Sequence, residues 1–122
     1  MIIGVGLDII ELNRIENLAK RQQKFAQRIL SKTEMNKYES LVGNRKIEYL
    51  AGRFAAKEAV SKALGCGIGK NLSFQDVEVV NNGIGRPVMK VNKGEFKQIN
   101  IHLSITHTKS YAAAQVVLES FS

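Results

Sequence analysis

Arg53-Phe-Ala-Ala-Lys-Glu-Ala-Val-Ser-Lys-Ala-Leu-Gly65 is rich in alanine, holds no proline and closes on glycine, the residue favoured just past a helix C-terminus. Wound at the helical period, it predicts a two-faced helix. Ala55, Ala56, Ala59, Val60, Ala63 and Leu64 fill one arc, expected to face the core, with Arg53 on the same side. Lys57, Glu58, Ser61 and Lys62 share the other arc, with Phe54 among them. Two readings of that polar arc are open. One is a solvated face whose Glu58–Lys62 pair at i, i+4 is worth about 0.3–0.5 kcal/mol. The other is a binding face, where a carboxylate flanked by two ammonium groups and a hydroxyl receives a metal ion and a phosphate.

Around this stretch the chain divides into recognisable pieces. The helix extends back to about Arg45, behind a Gly43-Asn44 turn, and at ~1.5 Å per residue would be about 30 Å long. After it, Gly65-Cys-Gly-Ile-Gly-Lys70 is a glycine-rich loop that fits neither the dinucleotide fingerprint nor the Walker pattern, since Asn71 follows Lys70. Upstream, Ser31-Lys-Thr-Glu34 fits a capping box opening a short helix to about Val42. From Glu11 to Leu30 an apolar stripe through Leu12, Ile15, Leu18, Phe25 and Ile29 predicts helix, with a break near Gln22-Gln23 and a basic opposite face. Residues 2–9, Ile-Ile-Gly-Val-Gly-Leu-Asp-Ile, read as a largely buried strand, with two glycines where a backbone or ligand approaches closely. Asp8 interrupts this run and needs a partner: a cation, a metal or backbone donors. Its alternative is to cap the helix that follows.

The C-terminal half reads as strands. Phe74–Val80 and Pro87–Val91 are apolar runs joined by the hairpin turn Asn81-Asn-Gly-Ile-Gly-Arg-Pro87. A short helix is expected within Lys93–Asn100. Ile101–His107 alternates, with His102, Ser104 and Thr106 on one face and the apolar residues plus His107 on the other. A tight Thr108-Lys-Ser110 turn leads to the last strand, Tyr111–Leu118. The expectation is a single α+β domain over residues 1–122, with a long central helix and a mostly antiparallel sheet.

Composition narrows the classes of function. At 122 residues, 44% hydrophobic and 24% charged, the chain suits one folded domain rather than a disordered one. No apolar run approaches the ~20 residues that cross a membrane, so no membrane association is expected. With Asp8 and Glu11 near the start, no basic n-region and a single cysteine, Cys66, the expected location is a reducing cytoplasm. The formal net charge of +7 calls for an anionic partner. Lys20, Arg21, Lys24, Arg28 and Lys32 crowd one segment, yet there is no tryptophan and few aromatics interleave with the basic residues. That weighs against a stacking surface for single-stranded nucleic acid. A basic binding module for RNA or DNA is the rival to an enzyme acting on a phosphorylated cofactor.

Asp8 and Glu58 are the carboxylates expected to leave bulk water, and Mg²⁺ typically takes one or two carboxylates with waters and substrate phosphates. Lys57, Ser61 and Lys62 would meet those phosphates, with His107 at a strand end. Such a set suits transfer of a phosphoryl-containing group. His102 reads as a strand-surface histidine, and Phe54 is expected to pack against a cofactor or a neighbouring subunit.

At this point Gly4-Val-Gly-Leu-Asp8, Arg53-Phe-Ala-Ala-Lys-Glu-Ala-Val-Ser-Lys62, Gly83-Ile-Gly-Arg-Pro87 and Ser104-Ile-Thr-His107 resemble the motifs of the bacterial holo-acyl-carrier-protein synthases, the small stand-alone 4'-phosphopantetheinyl transferases. The resemblance covers essentially the whole chain and implies that family's fold. It implies Mg²⁺-dependent transfer of phosphopantetheine from coenzyme A to a serine of acyl carrier protein in fatty acid biosynthesis, with release of 3',5'-ADP. By the same resemblance Asp8 and Glu58 would bind the metal, and Glu58, Lys62 and His107 would be catalytic. Lys57, Ser61, Lys62, Gly85, Pro87, Thr106 and His107 would hold coenzyme A. Arg14, Arg21, Phe25 and Arg28 would dock the acidic carrier protein. A homotrimer with active sites between subunits is implied as well. Glu58 acting through a metal-bound water is the first choice for the base that deprotonates the acceptor serine, His107 the second.

Overall fold

The computed structural model describes residues 1–121. Strand β1 (Ile2–Glu11) leads into helices α1 (Leu12–Arg21), α2 (Phe25–Ile29), α3 (Lys32–Ser40) and α4 (Asn44–Leu64). Strands β2 (Val77–Asn81), β3 (Pro87–Val91), β4 (Ile99–His107) and β5 (Tyr111–Ser120) follow, with short 3-10 turns at Phe74–Asp76 and Gly94–Phe96. Two antiparallel sheets result, one in the order β1-β5-β4 and one pairing β2 with β3. No helix among the described residues is long and apolar enough to cross a membrane.

Local chemistry sets the boundaries. The break after Arg21 separates α1 from α2 at Gln22-Gln23-Lys24. The capping box forms: Ser31 Oγ accepts from Glu34 N at 3.2 Å, and Glu34 Oε1 accepts from Ser31 N at 2.8 Å. Helix α4 ends on Gly65 at φ 77°, a left-handed conformation that glycine adopts without penalty. In the hairpin, Asn82 Oδ1 accepts from Ile84 N and Arg86 N, each at 3.0 Å, and Gly85 sits at φ 80°.

Helix α4 lies against β1 and β5 on one side and is surrounded by α1, α2, α3 and β2 on the others. This envelopment corrects two expectations from the helix wheel. Lys57 and Ser61 are fully buried rather than on a solvated arc with Glu58 and Lys62, because α2, α3 and β2 cover the side that the wheel leaves to water. Phe54 packs inside the chain, its ring centroid 6.2 Å from Phe25 and 5.7 Å from Phe74. That aromatic row lies within one chain.

Strand β1, by contrast, is buried on one face only. A Cβ on Gly6 would lie 1.9 Å from Ala59 O, and one on Gly4 would lie 2.4 Å from Ala63 O. The glycines thus let the strand backbone touch the helix backbone, and Asp8 and Ile10 continue the same face. Ile3, Val5, Leu7 and Ile9 point the other way and are 50–63% exposed. The expectation of a largely buried strand is corrected: helix α4 covers one side of this sheet only.

Candidate functional site

Asp8 is carried toward α4 by the alternation of β1, and Lys62 meets it from the last turns of the helix. Lys62 Nζ lies 2.8 Å from Asp8 Oδ1 and 3.2 Å from Leu7 O. Asp8 therefore has a cationic partner and does not cap α1, whose N-cap is Glu11 with no side-chain bond. Glu58 stands one turn before Lys62 on the same helix. Partial burial pushes its carboxyl above the usual range, the charge of Asp8 adds to that, and Lys62 and Arg14 oppose it. Two carboxylates whose charges oppose each other, next to one half-exposed ammonium, form a site that a divalent cation would relieve. Among the described residues no cluster of three or more histidine, cysteine, aspartate or glutamate side chains gathers. Two carboxylates and no third ligand side chain among the described residues fit Mg²⁺, which keeps several waters, rather than an all-protein cage.

Lys57 does not join this group. Its ammonium donates to Glu34 Oε1 at 2.7 Å, Ile29 O at 2.7 Å and Phe74 O at 3.2 Å. Those three acceptors take its three protons, leaving none for a phosphate. Burial pushes its pKa down, and Glu34 opposes the shift. Ser61 is also closed off, its hydroxyl donating to Glu58 O at 2.7 Å. The expected contacts of Lys57 and Ser61 with coenzyme A are corrected for that reason. Glu34, legible beforehand only as a capping residue, is the side chain that sequence reading missed. Its Oε2 also accepts from Val79 N at 2.7 Å, so it ties α3, α4 and β2 together.

The remaining candidates lie elsewhere in the chain. Gly85 and Pro87 belong to the β2–β3 hairpin, whose flank forms a cleft of about 310 Å³ with Arg86, Pro87, His102 and Ser104 in its wall. Thr106 and His107 end β4. His107 Nε2 is 3.7 Å from Glu48 Oε2, at a second cleft of about 290 Å³ whose lining includes Arg45, Arg53 and Asn81. Neither cleft is lined by Asp8, Glu58 or Lys62. One chain thus presents a carboxylate–lysine end of α4 and, two strands across the sheet from Asp8, the β4 end with the hairpin cleft beyond it. Arg53 stacks over Tyr49 at 4.2 Å, an i, i+4 pair visible in the sequence, and its buried Nε has no hydrogen-bond partner among the described residues. His102 is exposed and 3.0 Å from Glu119.

Arg14, Arg21 and Arg28 are exposed on α1 and α2, and Arg14 is close enough to Glu58 to affect its charge. Phe25 is 8% exposed and packs on Phe54, so its expected docking contact is corrected. A five-residue helix holds itself to the core by such a ring.

The sequence profile of the 4'-phosphopantetheinyl transferase superfamily matches residues 4–116. The chain is 57% identical over 122 residues to holo-[acyl-carrier-protein] synthase of Bacillus velezensis, covering 100% of this chain and 99% of that one. It is 56% identical over 122 residues to the Bacillus subtilis protein of the same name, with the same coverage. The crystal structure of the Bacillus anthracis synthase in complex with CoA (3',5'-ADP) superposes with a TM-score of 0.90 at 52% identity, covering 98% of each chain. The Neisseria meningitidis synthase gives 0.89 at 35% identity, covering 98% of this chain and 100% of that one.

Proposed function

The chain belongs to the holo-[acyl-carrier-protein] synthases of the 4'-phosphopantetheinyl transferase superfamily, and from that premise we propose that it transfers phosphopantetheine from coenzyme A to a serine of apo-acyl carrier protein, releasing 3',5'-ADP, with Mg²⁺. The supporting observation is the meeting of Asp8, Glu58 and Lys62 where β1 touches α4. Asp8 and Glu58 would hold the metal, which would supply neutralisation of the pyrophosphate charge. Lys62, half-exposed, leaves Asp8 to follow charge onto the phosphate that departs. Glu58 accepts the serine proton through a water. The serine oxygen forms a bond to the phosphorus bearing pantetheine, and the bond from that phosphorus to 3',5'-ADP breaks.

Gly85, Pro87, Thr106 and His107 contact the nucleotide from a neighbouring subunit in a homotrimer. Two observations support this: these residues lie apart from Asp8 and Glu58 within one chain, and β1 exposes the apolar row Ile3, Val5, Leu7 and Ile9. Arg14, Arg21 and Arg28 face the acidic carrier protein, which explains the early basic cluster better than nucleic acid does. The reaction serves fatty acid biosynthesis in the cytoplasm. Calorimetric titration with coenzyme A, with and without Mg²⁺, tests the reading: affinity should depend on the metal. Metal-independent, weak binding of coenzyme A alongside tight, salt-sensitive binding of an oligonucleotide would favour the nucleic-acid rival.

A further inference from the structure

Helix α2 has five residues, far fewer than the about 12–15 that an isolated helix needs in water. Its last carbonyls have no intrahelical partners, yet two side chains from elsewhere collect them. From the core, Lys57 Nζ donates to Ile29 O. From the surface, Gln75 Nε2 lies 2.9 Å from Gln27 O, 3.2 Å from Arg28 O and 2.8 Å from Leu30 O. Gln75 rides on the Phe74–Asp76 turn, which is itself fixed: Asp76 Oδ2 accepts from Ser73 N at 2.9 Å, and Asn92 N donates to Asp76 O at 2.7 Å. In turn α2 carries Arg28, whose guanidinium donates to Gln22 Oε1 at 3.1 Å, at the C-cap of α1 beside Arg21.

We infer that Gln75 is a positioning residue for the carrier-protein substrate. By clamping the C-terminus of α2 it orients Arg28 and, through Gln22, steadies the end of α1. The basic surface then meets its acidic partner already ordered, so less conformational entropy is lost on docking. The inference rests on the reading of α1 and α2 as the docking surface. Gln75 is not among the residues at the Asp8–Glu58–Lys62 site, so its effect falls on the carrier protein and not on coenzyme A.

A double-mutant cycle on the full-length enzyme, with steady-state kinetics in apo-carrier protein and in coenzyme A, decides the matter. Gln75→Met removes the donors at similar length and unchanged charge. It should raise the carrier KM about tenfold while kcat and the coenzyme A KM stay within about twofold. Arg28→Ala should also raise the carrier KM, and the double variant should rise little beyond either single one, because the clamp acts through Arg28. Should Gln75→Met not fold, Gln75→Ala is read the same way. An unchanged carrier KM in the Gln75 variant, beside a raised one in Arg28→Ala, overturns the clamp and leaves the docking surface standing. An unchanged carrier KM in Arg28→Ala overturns both. Parallel increases in the two KM values mark general loss of structure and also overturn the clamp.

Discussion

Lys57 and Lys62 belong to one helix, yet Lys57 is sealed in the core and Lys62 is about half exposed. Neighbours decide the difference. Lys57 meets a carboxylate and two carbonyls, so its charge is fully compensated and immobile. Lys57→Met would leave Glu34 charged and buried, and should cost about 3–5 kcal/mol, read by urea denaturation. Lys62 holds Asp8 by a single, partly screened contact that it can exchange for a phosphate. Asp8→Asn or Glu58→Gln should abolish transfer while circular dichroism and the denaturation midpoint stay near those of the parent; full activity in either variant would remove the metal-site argument. The sequence made Asp8 legible because a carboxylate in an apolar strand demands a partner, and Glu58 because it shares the polar arc of the helix with two lysines. It did not separate Lys57 from Lys62, since a helix wheel assumes one covered side and α4 has several. The partner of Lys57 is also 23 residues away, beyond any local pattern.

At the scale of elements, β1 and α4 are joined by absence of side chains. Gly6→Ala would place a methyl carbon 1.9 Å from Ala59 O, against backbone that cannot rotate aside. Strand and helix must then part, with a loss of about 1–3 kcal/mol or more, and Asp8 moves away from Glu58 and Lys62. Thermal melting and transfer assays should therefore fall together in Gly6→Ala, and a variant with parental activity would show that this approach is not needed. Boundaries of elements were legible where chemistry is local: the Ser31–Glu34 box, the Gln22-Gln23 break, the Asn82–Arg86 hairpin and the Gly65 stop. The exposure of β1 was not, because an apolar run reads alike whether it meets a core or another chain.

For the whole molecule, that exposed row is a departure from an ordinary polar surface. Ile3, Val5, Leu7 and Ile9 stand side by side on an edge strand, where pairing with another chain is the natural outcome. Leu7→Lys should shift sedimentation velocity from the assembled to the monomeric species and reduce transfer, since each chain holds only part of the proposed site. An unchanged sedimentation coefficient would place the subunit contact elsewhere. Inside the molecule, the Glu34 carboxylate receives the amides of Ser31 and Val79 together with Lys57. Those amides belong to distant parts of the chain but close on one acceptor. Neither is freed without disturbing the ion pair, so in heavy water both should take up deuterium slowly and at a common rate. The exchange clock of the helical half and that of the β2–β3 hairpin are thereby set by the same event.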